Sequence, residues 1–334
     1  MKKTDLFITE YQIDPNIWEA SNSSIDELLA IAEDYKLRLP DLKISAEYFA
    51  NAIQSIPCVH SVRWRTKDLK HLIRKIVRKR ADKVEKYLSI NNQNYQEVVN
   101  DLIGVRAIHL FKDDLIEIDQ EVRLKWEIRE TPTIYIRAGD QNCPSIEQPH
   151  EQKVHKDGYR SAHYVIESKP TKETVIAELQ VRTIFEEGWS EIDHSLRYPD
   201  HSDDRDLQSV LTLFNRIAGS ADEIASFTLR LKQSIESTNE TLATYRTEAE
   251  QYKNERDTSY KKIECLLQDL NSHKTKGCEQ QQLIEKLRTE MNSMREMDSA
   301  LVQVSQADTS PKNNQSQAGT VLAALAALAL LTSK

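Results

Sequence analysis

Four short segments, taken in chain order, carry side chains suited to a polyphosphate and a metal ion. The first is Arg65-Thr-Lys67-Asp-Leu-Lys-His71-Leu-Ile-Arg-Lys75. A spacing of four places Lys67, His71 and Lys75 on one helix face, with Arg65 at the helix mouth. Cations at i, i+4 and i+8 suit a triphosphate, because each can neutralise and orient a different phosphate. The second is Asp101-Leu-Ile-Gly104-Val-Arg106, an acid opening an apolar strand. A carboxylate at a strand end facing a cleft is a common seat for Mg2+.

The third segment, Lys156-Asp157-Gly158-Tyr159-Arg160-Ser161-Ala162-His163, is a turn that displays an aromatic ring beside cationic and imidazole groups. A tyrosine there can stack on a nucleobase, a contact of roughly 1–3 kcal/mol. The fourth is Glu178-Leu-Gln180-Val-Arg182-Thr183. Strand alternation puts Glu178, Gln180 and Arg182 on one face, with Leu179 and Val181 on the other. A polar face on a strand is costly to bury, so it should line a site. Asp101 and Glu178 together supply two carboxylates, one for metal and one for metal or general base. Each segment alone also fits an ordinary structural element; the four in this order do not.

The order R-x-K…K, D-x-x-G-x-R, G-Y-R-S-x-H and E-L-Q-V-R-T, followed by Trp189-Ser-Glu191-Ile-Asp-His194 and Tyr198, resembles the RelA/SpoT synthetase family over about residues 60–200. The resemblance implies a mixed sheet flanked by helices, related to nucleotidyltransferases. It also implies transfer of the β,γ-pyrophosphoryl group of ATP to a ribose 3′-hydroxyl, most often of GDP or GTP. Carried onto this chain, Arg65, Lys67, His71 and Lys75 would bind the ATP phosphates, with Arg65 also near the adenine. Asp101 would hold Mg2+, and Glu178 would act on Mg2+ or on the attacking hydroxyl. Tyr159 would stack on the acceptor base beside His163 and Lys156, and Gln180 and Arg182 would shape the same face.

His71 stands where many alarmone synthetases have serine, and Asp157 where they often have asparagine. The family's hydrolase domain is not expected, since about 60 residues precede the first motif and none forms a His-Asp metal pattern. Three readings stay open: an alarmone synthetase, a toxin of the same fold that pyrophosphorylates the 3′ end of tRNA, and an inactive scaffold.

These residues need elements to hold them. Ser24-Ile-Asp-Glu27 has the form of a capping box opening a helix that Pro40 should interrupt, and a second helix follows through ISAEYFANAIQSI. The segment after Ser61 reads as helix, with Leu69, Leu72, Ile73, Ile76 and Val77 along one side. Residues 102–111, 133–137, 162–166 and 174–182 read as strands, and 138–158 as an exposed, mobile loop. A helix carries Phe185, Trp189, Ile192 and Leu196, and another runs from about 205 to 235. The expected class is α+β: a mixed β-sheet flanked by helices, then a long coiled-coil helix. The expected divisions are a helical segment 1–60 packing on a synthetase domain 61–235, a coiled coil 238–302, a disordered linker 303–317 and a hydrophobic tail 318–334.

In the coiled coil, Leu242, Tyr245, Ala249, Tyr252, Arg256, Ser259, Ile263, Leu266 and Leu270 alternate three and four apart. The register resumes at Ile284, Leu287, Met291 and Met294 after a weak middle at His273, Gly277 and Gln280. Such a seam calls for a partner helix, from a second copy or folded back within the chain. The apolar run 318–332 spans about 22 Å as a helix, short of a bilayer core of about 30 Å, so it suits membrane contact rather than a full span.

The net charge of −8 conceals a basic run of ten Lys and Arg residues against Asp68 and Asp82 between Arg63 and Lys83. That local surplus calls for an anionic partner, ATP or tRNA. The four cysteines form no C-x-x-C pair, which suits a reducing compartment rather than a zinc site. The N-terminus has no apolar stretch of signal-peptide type. A cytoplasmic protein is expected.

Overall fold

The computed structural model describes residues 3–139, 146–170, 172–197, 204–272 and 278–307. Tyr198, the 308–317 part of the expected linker and the tail 318–334 lie outside them. The chain divides into two compact units, Met1–Ser237 and Thr238–Lys334.

The first unit is built on a seven-stranded mixed sheet of order β1-β2-β7-β6-β4-β5, with β3 also paired to β6. The strands are β1 (Ser61–Thr66), β2 (Ile103–His109), β3 (Glu127–Ile128), β4 (Thr133–Ile136), β5 (Glu151–Val154), β6 (Ser161–Ser168) and β7 (Val175–Thr183). β2 and β7 run parallel, while β1–β2 and β6–β7 are antiparallel. One sheet face is apolar: Val105, Ala107, Tyr164, Leu179 and Val181 are buried. Against it pack Leu28, Ile31, Tyr35 and Phe49 of α3 (Ile25–Gln54) and Leu72, Ile73, Ile76 and Val77 of α4 (Leu69–Ala81). Phe7 and Tyr11 of α1 (Lys3–Tyr11) join this core, and α2 (Pro15–Ser21) precedes α3.

Three expectations are corrected here. Residues 61–66 form a strand, not the start of a helix, because their hydrogen bonds go to β2 in register from Ser61↔Ile108 to Thr66↔Ile103. The helix begins at Leu69, where the Asp68 carboxylate caps the His71 amide at 3.1 Å. Lys67 therefore lies before the helix rather than on its face. Pro40 does not divide α3, which runs unbroken for 30 residues with Pro40 exposed; its ring meets solvent while the buried faces on either side hold the axis together. Finally, the expected loop 138–158 contains edge strand β5, paired parallel to β4 with all four residues exposed.

α5 (Glu85–Leu88), α6 (Tyr95–Val98) and α7 (Asp114–Lys125) complete the body. α8 (Ile184–Arg197) follows β7 directly and buries Trp189, leaving Phe185, Ile192 and Leu196 about two-fifths exposed. α9 (Arg205–Ser272) starts in the first unit and ends in the second.

In the second unit, Leu267 of α9 packs with Ile284 and Met291 of α10 (Cys278–Ala307), and Tyr260 lies against them. Arg295 reaches Glu264 at 3.9 Å and the Tyr260 ring at 5.9 Å. α10 thus runs back along α9 within one chain. The heptad seam holds in part: Ile284 and Met291 are buried as its register has them, but Leu287 and Met294 are exposed, and on α9 the buried position is Leu267 rather than Leu266. His273 and Gly277 lie outside the described residues. α10 reaches Ala307, so residues 303–307 are helical rather than linker. No described helix is long and apolar enough to cross a membrane.

Candidate functional site

The sheet face opposite the core is polar, and its register explains how the motif residues meet. Arg65 pairs across to Gly104, and Gly104 to Glu178. In the next row Arg63, Arg106, Gln180 and His163 lie side by side across four strands. Arg65 lies over Gly104, where a Cβ would stand in ordinary contact at 3.7 Å from Arg65 Cγ. Over this floor lies a cleft of about 540 Å³ lined by Arg65, Lys67, His71, Asp101, Glu178 and Gln180, with Arg106, Glu191 and His194 among its other walls. A second cavity of about 550 Å³ shares Lys67, His71, Asp101 and His194 and adds Lys75, Arg74 and Arg78 of α4.

Asp101 sits where the two cavities meet. Lys67 Nζ donates to its Oδ2 at 2.7 Å and Lys75 Nζ stands 2.8 Å from its Oδ1. The lysines come from different elements, and the Tyr35 hydroxyl anchors the β1–α4 connection by donating to the Lys67 carbonyl. Burial pushes the Asp101 carboxyl up, but Lys75 and Lys67 outweigh it and hold the group below its ordinary value. Burial likewise pushes Glu178 up, and His163, whose Nδ1 lies 3.2 Å from Glu178 Oε1, brings it back below. Both carboxylates are therefore ionised near neutrality. His71 is lowered by burial first and then by Arg74, which favours its neutral form near pH 7.

Behind Glu178 a chain of polar contacts runs into the protein. Tyr159 Oη lies 2.9 Å from His163 Nε2 and accepts from Arg182 at 2.6 Å. Arg182, only 2% exposed, also contacts Gln180 and donates to Glu187 at 3.0 Å. Burial raises the Tyr159 phenol, against the pull of Arg182. Its ring has Tyr135, His155 and His163 within 5.4–5.8 Å. Lys156 is exposed in the turn before Gly158 and does not line the cleft.

Motif reading gave no role to Glu187, Tyr135 or His155. Glu187 and Glu191 stand one turn apart on α8, where like charges repel; Arg106 between them removes the conflict, at 3.0 Å from Glu187 and in contact with Glu191. An i, i+4 acidic pair beginning one turn after a buried strand was the available signal.

Asp101 and Glu178 fit a magnesium ion. Mg2+ is usually held by one or two carboxylates together with substrate phosphates and water, and both acids are ionised at a polar cleft. Asp101 Oδ1 is buried without a well-aligned hydrogen bond, which leaves a lone pair to offer. No group of three or more His, Cys, Asp or Glu side chains gathers as a metal site among the described residues.

Residues 64–203 match the family model described as the region found in RelA / SpoT proteins. Over 201 residues it is 25% identical to the GTP pyrophosphokinase YwaC of Bacillus subtilis (strain 168), covering 55% of this chain and 85% of that protein. Among solved structures, the small alarmone synthetase 1 of Bacillus subtilis aligns with a TM-score of 0.44 at 21% identity, over 60% of this chain and 99% of that one. A GTP pyrophosphokinase family protein from Streptococcus pneumoniae aligns at 0.38 and 22% identity, over 64% and 93%.

Proposed function

We propose that this protein is an ATP-dependent pyrophosphokinase that transfers the β,γ-pyrophosphoryl group of ATP to the ribose 3′-hydroxyl of GDP or GTP, making guanosine tetra- or pentaphosphate. The observation that carries the reading is ionised Asp101, held between Lys67 and Lys75, in one cleft with ionised Glu178. Cations there match a polyphosphate, and paired carboxylates match a metal and a base. The RelA/SpoT region and the activity in the Bacillus relative's name support the same chemistry.

In the transfer, the 3′ oxygen forms a bond to the β-phosphorus of ATP, the bond from that phosphorus to the α,β-bridging oxygen breaks, and AMP leaves. Arg65, Lys67, His71 and Lys75 bind the ATP phosphates; an arriving triphosphate also favours protonation of His71. Asp101 would hold Mg2+, which when bound would neutralise charge on the transferring phosphates. Glu178, ionised beside His163, takes the 3′-hydroxyl proton. Tyr159 and His163 contact the acceptor with Gln180, and Lys156 meets its outer charge from the turn. Arg182 is buried and acts by holding Tyr159 and Gln180.

The test offers GDP, GTP, AMP, ADP and bulk tRNA in parallel with γ-³²P-ATP, Mg2+ and the purified full chain. Label in a guanosine 3′-diphosphate product is expected. Label confined to the 3′ end of tRNA would replace the proposal with the tRNA-modifying reading, and no transfer at all would overturn both.

A further inference from the structure

The first-unit part of α9 is amphipathic in the unusual sense. Beyond Leu211, its buried row is polar or small, Asn215, Gly219, Asp222 and Ser226 at spacings of four, three and four with Ala218 beside them, whereas Ile217, Ile224 and Phe227 are more than half exposed. Each residue of that row meets the sheet body at a specific atom. Asn215 Nδ2 donates to the Gly158 carbonyl at 2.9 Å, Asp222 faces Arg160 at 3.5 Å, and Ser226 Oγ accepts from the Lys112 amide at 3.1 Å. Gly219 admits the guanidinium groups of Arg137 and Arg160, which would stand 3.0 Å from a Cβ. A helix docked by hydrogen bonds of fixed direction positions what it touches more sharply than one docked by apolar area.

What Asn215 touches is the turn carrying Tyr159. Gly158 has φ of +74°, and a Cβ there would meet Asn215 Nδ2 at 3.1 Å. Arg137 donates to the Asn215 carbonyl at 3.3 Å, so the helix and the residue after β4 hold each other beside the same turn. Asn215 is 2% exposed.

We propose that Asn215 is a positioning residue for the acceptor side of the reaction: by clamping the Gly158 carbonyl it fixes the turn that presents Tyr159. The inference rests on the proposed function for its kinetic consequence, but not for the clamp itself. Asn215 touches neither substrate nor metal; it acts through Gly158 and Tyr159. The ATP side, built on β1, α4 and Asp101, does not share the contact.

The test compares Asn215→Ala and Asn215→Asp with Ser226→Ala in the full chain. The aspartate keeps the size and the acceptor for Arg137 but loses the donor to Gly158. Both Asn215 variants are expected to raise the acceptor KM on the order of tenfold, about the worth of one buried hydrogen bond. KM for ATP and kcat at saturating acceptor should change less than about twofold. Ser226→Ala, which loosens the same helix away from the turn, should leave the acceptor KM unchanged. An unchanged acceptor KM in the Asn215 variants, or an equal loss in all three variants, would overturn the proposal. The second readout is amide hydrogen exchange of residues 155–160 without ligands. Faster exchange is expected in both Asn215 variants and not in Ser226→Ala. If the wild type transfers nothing to GDP or GTP, the functional reading fails on that result alone, while unaltered exchange in the Asn215 variants would sink the clamp whatever the acceptor is.

Discussion

At the scale of single residues, the charge state of Asp101 decides how the cleft works before any ligand enters. Its carboxylate takes up much of the field of Lys67 and Lys75, both mostly buried at 16% and 20% side-chain exposure. Asp101→Asn keeps the shape but frees both ammonium groups for phosphate. We expect kcat to fall by on the order of a thousandfold through lost metal binding, while the KM for ATP stays level or falls. Glu178→Gln should cost kcat roughly 10²–10⁴-fold with little change in either KM, as expected for loss of a general base. Steady-state kinetics with circular dichroism as a fold control checks both; near-normal kcat in either variant would remove that residue from the chemistry. Because both carboxyls are held below their ordinary values of 3.8 and 4.5, neither should produce a fall in kcat/KM between pH 8 and pH 5. The strand period of two made Glu178 and Gln180 visible as neighbours on one face. It could not show that Arg182 turns inward to Tyr159 and Glu187, since that depends on α8 lying over the end of β7.

At the scale of elements, the departures from sequence expectation share one cause: local pattern yields to the hydrogen bonds and burial that neighbours supply. Ser61–Thr66 carries a basic sequence continuous with α4, yet its backbone is claimed by β2. The N-terminal part of α9 shows the same thing in helical form, since its apolar stripe is exposed and its polar row is buried. That row contains Asp222, 0% exposed, whose carboxyl is pushed up to about 7 by burial and then by Glu186, against Thr183, Arg160 and Lys112. The folded state therefore holds this proton more tightly than the unfolded chain, whose carboxyl titrates near 3.8. Below that value both states are protonated and Asp222 contributes no pH dependence. Between there and about pH 7 only the folded state keeps the proton, so stability falls as pH rises, by at most about 1.4 kcal/mol per pH unit; above pH 7 the penalty is constant. Thermal unfolding of wild type and Asp222→Asn at pH 5, 6, 7 and 8 should give a difference that narrows or reverses in favour of the variant as pH rises to 7. A difference independent of pH would mean that Asp222 is already ionised at pH 5.

At the scale of the whole molecule, each unit has its own basis of stability. The Met1–Ser237 unit is held by a continuous core spanning helices and sheet, whereas in the second the buried contacts among the described residues are Leu267 of α9 with Ile284 and Met291 of α10, and Tyr260 against them. The heptad reading required a partner for this segment and left its source open; in the structure α10 packs along α9. It placed the seam on Leu266, because periodicity alone does not tell which of two adjacent leucines faces a partner that returns antiparallel. The two leucines give a direct test, since Leu267 is 5% exposed and Leu266 is 62% exposed. Leu267→Ala should cost about 2–3 kcal/mol, a large share of what so small a cluster can supply. Limited proteolysis of the full chain, read by mass spectrometry, should then show faster cleavage between residues 278 and 307. Cleavage within the sheet unit should be unchanged, and Leu266→Ala should behave as wild type. The reverse ranking of the two variants would mean that the heptad seam, and with it a different partner helix, describes this segment better than the packing of α10 along α9.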